Sequence, residues 1–124
     1  MTFDNRNRAK QLINFGEIQA TDIDAVIEWH NEGYIIIEVK YEGVEIKTGQ
    51  RLALERIVKD TANSGKESIA IIADHNIKDS NEDIKLEGCE VRKYYHYKKD
   101  KWLELEQTSN VLNFINWFIE NKIE

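Results

Sequence analysis

Gly33-Tyr34-Ile35-Ile36-Ile37-Glu38-Val39-Lys40-Tyr41 is an apolar run broken near its end by two opposite charges. Its isoleucines, valine and tyrosines are β-branched or aromatic and Gly33 marks a turn before them, so the stretch reads as a strand. Side chains alternate along a strand: Tyr34, Ile36, Glu38 and Lys40 share one face, and Ile35, Ile37, Val39 and Tyr41 the other. Two charges on a half-apolar face of an inner strand cost free energy unless they are paired, hydrated or bound to something. The acidic-x-Lys tripeptide recurs at Glu45-Ile46-Lys47, Asp83-Ile84-Lys85 and Glu120-Asn121-Lys122. Only at Glu38 does it end a hydrophobic strand, follow a segment bearing aspartates and precede a helix opened by Gly-Gln.

Working outward, Thr21–Trp29 alternates as a second strand, with Ile23, Ala25, Ile27 and Trp29 on one face and Asp22 and Asp24 on the other. His30-Asn31-Glu32-Gly33 has hairpin length, so the two strands should pair antiparallel. Glu42-Gly43 reads as a turn and Val44–Ile46 as a short extended piece. Thr48 is placed to cap a helix from Gly49 to Asn63, with Leu54, Ile57, Val58 and Thr61 on its apolar stripe. Glu67–Ala73 is then an apolar strand, joined to the Glu38 strand by a parallel crossover.

Toward the amino terminus, residues 5–16 show helical spacing of Ala9, Leu12, Ile13 and Gly16 after a cap at Asp4. Toward the other end, residues 74–89 read as a polar surface loop. Glu90–Tyr97 and Lys101–Leu105 read as a hairpin, and Thr108 or Ser109 as the cap of a helix ending near Lys122. That last helix is apolar nearly all round, which fits either packing into the core or a contact with a second subunit.

The 124 residues suit a single domain, residues 1–124, and the 41% hydrophobic and 32% charged composition is that of a globular protein. No apolar run approaches membrane-spanning length and Met1–Arg6 carries no apolar leader, so a cytoplasmic protein is expected. A single cysteine, Cys89, excludes an internal disulfide and a multi-cysteine zinc site. With 17 basic and 23 acidic residues the net charge is −6, against the usual balance of a nucleic-acid binder. Basic residues nonetheless cluster at Arg6, Arg8 and Lys10 and at Arg92, Lys93, Lys98 and Lys99. There the interleaved Tyr94, Tyr95 and Tyr97 would stack on bases or simply build an amphipathic hairpin.

The order helix, strand with Asp24, strand with Glu38-Val39-Lys40, helix opened by Gly49-Gln50, strand resembles the PD-(D/E)XK nuclease superfamily, and within it the small resolvase-like and VRR-NUC-like members. The similarity covers residues 5 to 75. It implies an α/β, restriction-endonuclease-like fold: a mixed central sheet flanked by helices on an αβββαβ core, here with an added C-terminal hairpin and helix. It implies a DNA endonuclease, structure-specific or junction-resolving and of phage-like format, that hydrolyses phosphodiesters with Mg2+ or Mn2+. Asp24, Glu38 and the Val39 main-chain carbonyl would be metal ligands, joined by Glu17 from the first helix, with Asp22 the alternative motif aspartate. Lys40 would act on the attacking water or the phosphate, assisted by Gln50. Relatives of this size work as homodimers, for which the last helix offers a contact. Ile23 stands where the motif has its proline.

Other readings use the same residues. Glu38 and Lys40 would also suit a salt bridge on a solvated face, Gln50 an ordinary helix start, and His30, His75 and His96 surface positions. A non-catalytic protein of the same fold, inhibiting a basic protein partner, fits the acidic balance. A structural subunit presenting the 91–101 hairpin to an enzyme is the third option.

Overall fold

A computed structural model of the chain describes residues 2–4, 14–15, 18–19, 23–78 and 82–121. In chain order the elements are β1 (Thr2–Asp4), β2 (Asn14–Phe15), β3 (Ile18–Gln19), β4 (Ala25–Trp29), β5 (Gly33–Tyr41) and α1 (Thr48–Asn63). There follow β6 (Glu67–His75), β7 (Asp83–Lys85), a 3-10 turn (Leu86–Gly88), β8 (Glu90–His96), β9 (Lys101–Leu103) and α2 (Val111–Asn121). Five strands form one mixed sheet in the order β4-β5-β6-β8-β9. Only the β5–β6 pair is parallel, as the intervening helix requires; the other pairs are antiparallel.

The alternation of β5 sorts the core into two layers. Ile35, Ile37 and Val39 pack with Trp29, Ile69, Ile71 and the α2 residues Val111, Phe114, Ile115 and Phe118. Ile36 packs with Ala70, Tyr95 and the α1 residues Leu54 and Val58. The sheet is thus covered by α2 on one face and α1 on the other, and each fully buried isoleucine contributes about 2 kcal/mol. Helix α2 is therefore a core helix along one stripe, while Leu112, Trp117 and Ile119 on its flanks stay exposed.

The β4–β5 hairpin forms as its sequence predicts. Its turn puts His30 (φ 49°) and Asn31 (φ 60°) in the left-handed region and is closed by Glu32 N–H donating to the Trp29 carbonyl at 2.8 Å. Gly33 is required by packing: a Cβ there would stand 2.4 Å from the Glu67 carbonyl oxygen and 2.5 Å from the Trp29 ring.

Several expectations need correction. Asn14–Phe15, read as the end of a first helix, is a strand paired with Ile18–Gln19; residues 5–13 lie outside the described residues. Val44–Ile46 is not a strand, and Thr48 is the first helical residue of α1, preceded by Lys47, whose side chain makes no capping bond. Helix α2 is capped not by Thr108 or Ser109 but by Asn110, whose Oδ1 accepts from Asn113 N–H at 2.8 Å. The segment 74–89 is not a surface loop: β6 runs on to His75, β7 pairs with β1, and Ile84, Leu86 and Cys89 are buried.

Candidate active site

Strand β4 stops one residue short of the motif aspartate. Ala25 pairs with Ile37, so Asp24, in a bend just before the strand, falls level with Glu38. Ile23 packs with the α1-side cluster, whereas Ala25 and Ile27 pack with the α2-side cluster. The expected single face for Ile23, Ala25, Ile27 and Trp29 therefore breaks at Asp24. This break leaves the Val39 amide without a β4 backbone partner, and the Asp24 carboxylate takes its place, accepting Val39 N–H at 2.7 Å. Backbone N–H and C=O of one strand residue point the same way. The Val39 carbonyl thus faces the gap beyond β4 that Asp24 fills.

Glu38 is the unusual residue. It is 1% exposed, one carboxylate oxygen has no hydrogen-bond partner, and the other lies 3.6 Å from Lys40 Nζ. Burial, and next the charge of Asp24, push its pKa up to about 8, while Lys40 and a hydrogen bond from the Gln50 side chain pull the other way. A solvated surface salt bridge is thereby excluded for this pair. An oxygen buried without a donor costs about 1–3 kcal/mol or more for a charged group; Trp29 Nε1 and Ser68 Oγ are likewise buried without a partner, but only Glu38 has a second carboxylate and an ammonium beside it.

Four of the sequence-predicted residues, Asp24, Glu38, Lys40 and Gln50, converge. Gln50 arrives from the first turn of α1, so the amino end of that helix stands over Glu38. No side-chain cap and no acidic residue occupy that first turn. Asp24, Glu38 and the Val39 carbonyl form a hard-oxygen donor set that could hold Mg2+ or Mn2+, and the orphaned Glu38 oxygen fits such a role. No group of three or more His, Cys, Asp or Glu side chains suited to a metal occurs among the described residues. Glu17 and Asp22 lie outside them, as do Arg6, Arg8 and Lys10.

The basic hairpin divides in two. Arg92 and Lys93 lie beside the site, since Lys93 pairs with Ile72 and Ile72 with Glu38. Arg92 is occupied: Nε donates to Asp74 Oδ1 at 2.8 Å, Nη2 to the same oxygen, and Nη1 to the Val44 carbonyl at 2.7 Å. Lys93 Nζ sits 5.7 Å from the Trp102 ring centre. Lys98 and Lys99 belong to the turn after His96, which pairs with Ile69. That is the opposite end of the sheet, about 16 Å from the level of Asp74 at 3.3 Å per residue.

The histidines divide too. His30 is exposed, but His75 and His96 are buried, against expectation. His96 Nδ1 accepts Lys98 N–H at 3.2 Å and Nε2 faces Glu67 Oε2 at 3.2 Å; burial holds its pKa below the ordinary value. Cys89 is buried and its thiol is pushed up to about 11 by burial, which makes it inert.

The sequence reading gave no role to Asp74, and treated Tyr41 only as a strand residue. Both stand at the carboxyl ends of the parallel pair β5–β6, where ligands bind in open α/β sheets, and the crossover expected after Lys40 was the signal for them. A cleft of about 520 Å³ opens there, lined by Lys40, Tyr41, Val44, His75, Ile77 and Lys78 among others. No family model matches the chain, and neither a curated protein nor a solved structure matches it.

Proposed function

We propose that the chain is a Mg2+- or Mn2+-dependent DNA endonuclease, with Asp24, Glu38, Lys40 and Gln50 as its catalytic group. The observation that carries the reading is the buried Glu38 carboxylate, one oxygen unpartnered, set against Asp24 and Lys40. A structural ion pair needs neither the second carboxylate nor the orphaned oxygen. Elements β4, β5, α1 and β6 would then be the latter part of the αβββαβ nuclease core.

Each residue has a task that follows from its setting. The Val39 amide fixes Asp24 and the Gln50 side chain fixes Glu38, so the two carboxylates are preorganised and do not rearrange when a phosphate arrives. A bound divalent cation would supply positive charge to the phosphate and lower the pKa of the attacking water. Lys40, at the more open rim, presents its ammonium to charge developing on the phosphate, or as the amine accepts a proton from the water. The uncapped amino end of α1 adds N–H groups aimed at an anion.

Two subunits would serve two cuts on a duplex or junction, and the exposed Leu112, Trp117 and Ile119 on α2 supply an apolar contact for a homodimer. No helix among the described residues is long and apolar enough to cross a membrane, in keeping with a substrate met in the cytoplasm. The rival reading, a non-catalytic inhibitor of a basic protein, draws on the net charge of −6 and on a cavity walled by Glu42, Asp74, Glu82, Asp83 and Glu90.

The test is cleavage of circular, linear and four-way-junction DNA with Mn2+, Mg2+ or chelator, comparing wild type with Glu38→Ala and Lys40→Ala shown to be folded. Metal-dependent cutting lost in both variants is expected. A folded wild type that neither cuts nor binds Mn2+ would transfer the conclusion to the inhibitor.

A further inference from the structure

The cleft at the carboxyl ends of β5 and β6 begins where the Asp24–Glu38 chemistry ends. Lys40 belongs to both, with its Nζ 3.6 Å from Glu38 and the residue among those that line the cleft at the end of the strand, where the two faces of β5 meet. Beyond it the wall continues through Tyr41, His75 and Lys78, with apolar contributions from Val44 and Ile77. Among the described residues two lysines and no carboxylate line it, in a chain whose net charge is −6.

Tyr41 is 38% exposed, and its ring is held by His75 in a T-shaped contact at 5.5 Å and 79°. A T-shaped partner occupies at most one face of a ring, and the exposed part of Tyr41 is what a flat ligand would meet. His75 is itself buried and its Nδ1 accepts Ile77 N–H at 3.1 Å, which anchors the pair. The volume of about 520 Å³ lies in the range of sites for molecules the size of a nucleotide.

The neighbouring cavity of about 460 Å³ has the opposite character. Glu42, Glu82, Asp83 and Glu90 line it, together with the Asp74 held by Arg92, against one lysine, Lys85. A polyanion is repelled there, so a chain of phosphates leaving Lys40 is directed past Tyr41 toward Lys78.

We propose that this cleft takes an unpaired nucleotide adjoining the scissile phosphate, its base stacked on Tyr41 and its outer phosphate drawn to Lys78. The assignment rests on the nuclease reading of Glu38 and Lys40 and narrows its substrate to DNA with a single-stranded segment at the cut. A base inside a duplex is already stacked on its neighbours and cannot offer its face to Tyr41.

Binding without metal tests this apart from cleavage. A fluorescein-labelled single strand of about ten nucleotides is titrated by anisotropy in chelator at low salt, against a blunt duplex of the same length. Wild type should prefer the single strand, Tyr41→Ala should weaken it roughly tenfold, as loss of one base–aromatic stack does, and Tyr41→Phe should bind like wild type. Lys78→Ala should lower the salt dependence by about one phosphate contact. The proposal is overturned if Tyr41→Ala binds within about twofold of wild type, if Tyr41→Phe fails as alanine does, or if the duplex binds as well. Thermal melting of each variant separates these results from unfolding. Tyr41-dependent binding without metal-dependent cutting would retain the cleft and remove the nuclease.

Discussion

Replacing Glu38 by glutamine should stabilise the protein at alkaline pH while removing a ligand of the proposed metal site. The carboxyl is 1% exposed, and burial, then the Asp24 charge, raises its pKa from the ordinary 4.5 to about 8. An acid with a raised pKa keeps its proton in the folded chain after the unfolded chain has lost it. The contribution of Glu38 to stability is therefore fullest below 4.5, falls as pH climbs from 4.5 to about 8, and levels off above. A rise of that size corresponds to about 5 kcal/mol at about 1.4 kcal/mol per pH unit. Interaction of the carboxyl with Asp24 and relaxation around the ionised pair reduce the expected loss to about 2–4 kcal/mol. Glu38→Gln is neutral throughout, so the two proteins should match near about pH 5 and differ by that amount near about pH 9. Urea unfolding followed by tryptophan fluorescence measures it, with Trp29, buried against Phe118, as a core reporter. Mn2+ at about a hundred times its Kd should return about 2.7 kcal/mol to wild type and almost nothing to the variant. A difference between wild type and the glutamine variant that is flat across this window, or a glutamine variant that is the weaker protein near pH 9, would refute the reasoning.

Gly33→Ala should cost about 3 kcal/mol or more, because the new methyl meets a backbone oxygen and the Trp29 ring; the same urea titration reads it, and an unchanged midpoint contradicts the packing. Lys40→Ala should fold normally, since Lys40 is part-exposed and 3.6 Å from its partner, yet lose about a hundredfold or more in cleavage rate, measured under single-turnover conditions. His96 has a pKa held below 6.5 mainly by burial, so its contribution has the opposite sign to that of Glu38. The unfolded chain takes up the proton first, and stability should fall as pH drops below about 6.5. This acid limb should be plain in the Glu38→Gln background, and its absence there would show that His96 accepts a proton without unfolding.

The legible part of the fold was what local pattern decides. Three isoleucines and a valine around Glu38 could only be a buried strand, and Asn31 before Gly33 announced the hairpin. Alternation placed Glu38 and Lys40 on one face, and the role of Gln50 beside them was implied by the resemblance to the PD-(D/E)XK nucleases. Misreadings arose where distant chain supplies the partner. Ile84 and Leu86 looked solitary in a polar stretch because β7 pairs with Thr2–Asp4, a contact no periodicity encodes. His96 looked like a surface residue because its burial depends on Phe118 and on Glu67. Thr108, Ser109 and Asn110 offer the same capping chemistry in succession, and the isolated bridge of Asn110 to Glu90 decides among them. Such a choice is tertiary.

Asp24 carries the more general point, because its position and its role have one cause. Had β4 continued through Asp24 and Ile23, the Val39 amide and carbonyl would have been spent on a backbone partner and the Asp24 side chain would have pointed away from them. Stopping the strand at Ala25 leaves a gap in the ladder beside β5, a strand buried along most of its length. A carboxylate fills the donor side of that gap, accepting Val39 N–H, and the acceptor side is left facing it. The site is thus an interruption of regular structure, placed where the adjoining β5, paired with β6 along its whole length, is rigid enough to hold two carboxyl groups together. Extending β4 by even one residue would satisfy the backbone and dismantle the donor set, so the same sequence feature that costs sheet hydrogen bonds is the one on which the proposed chemistry depends.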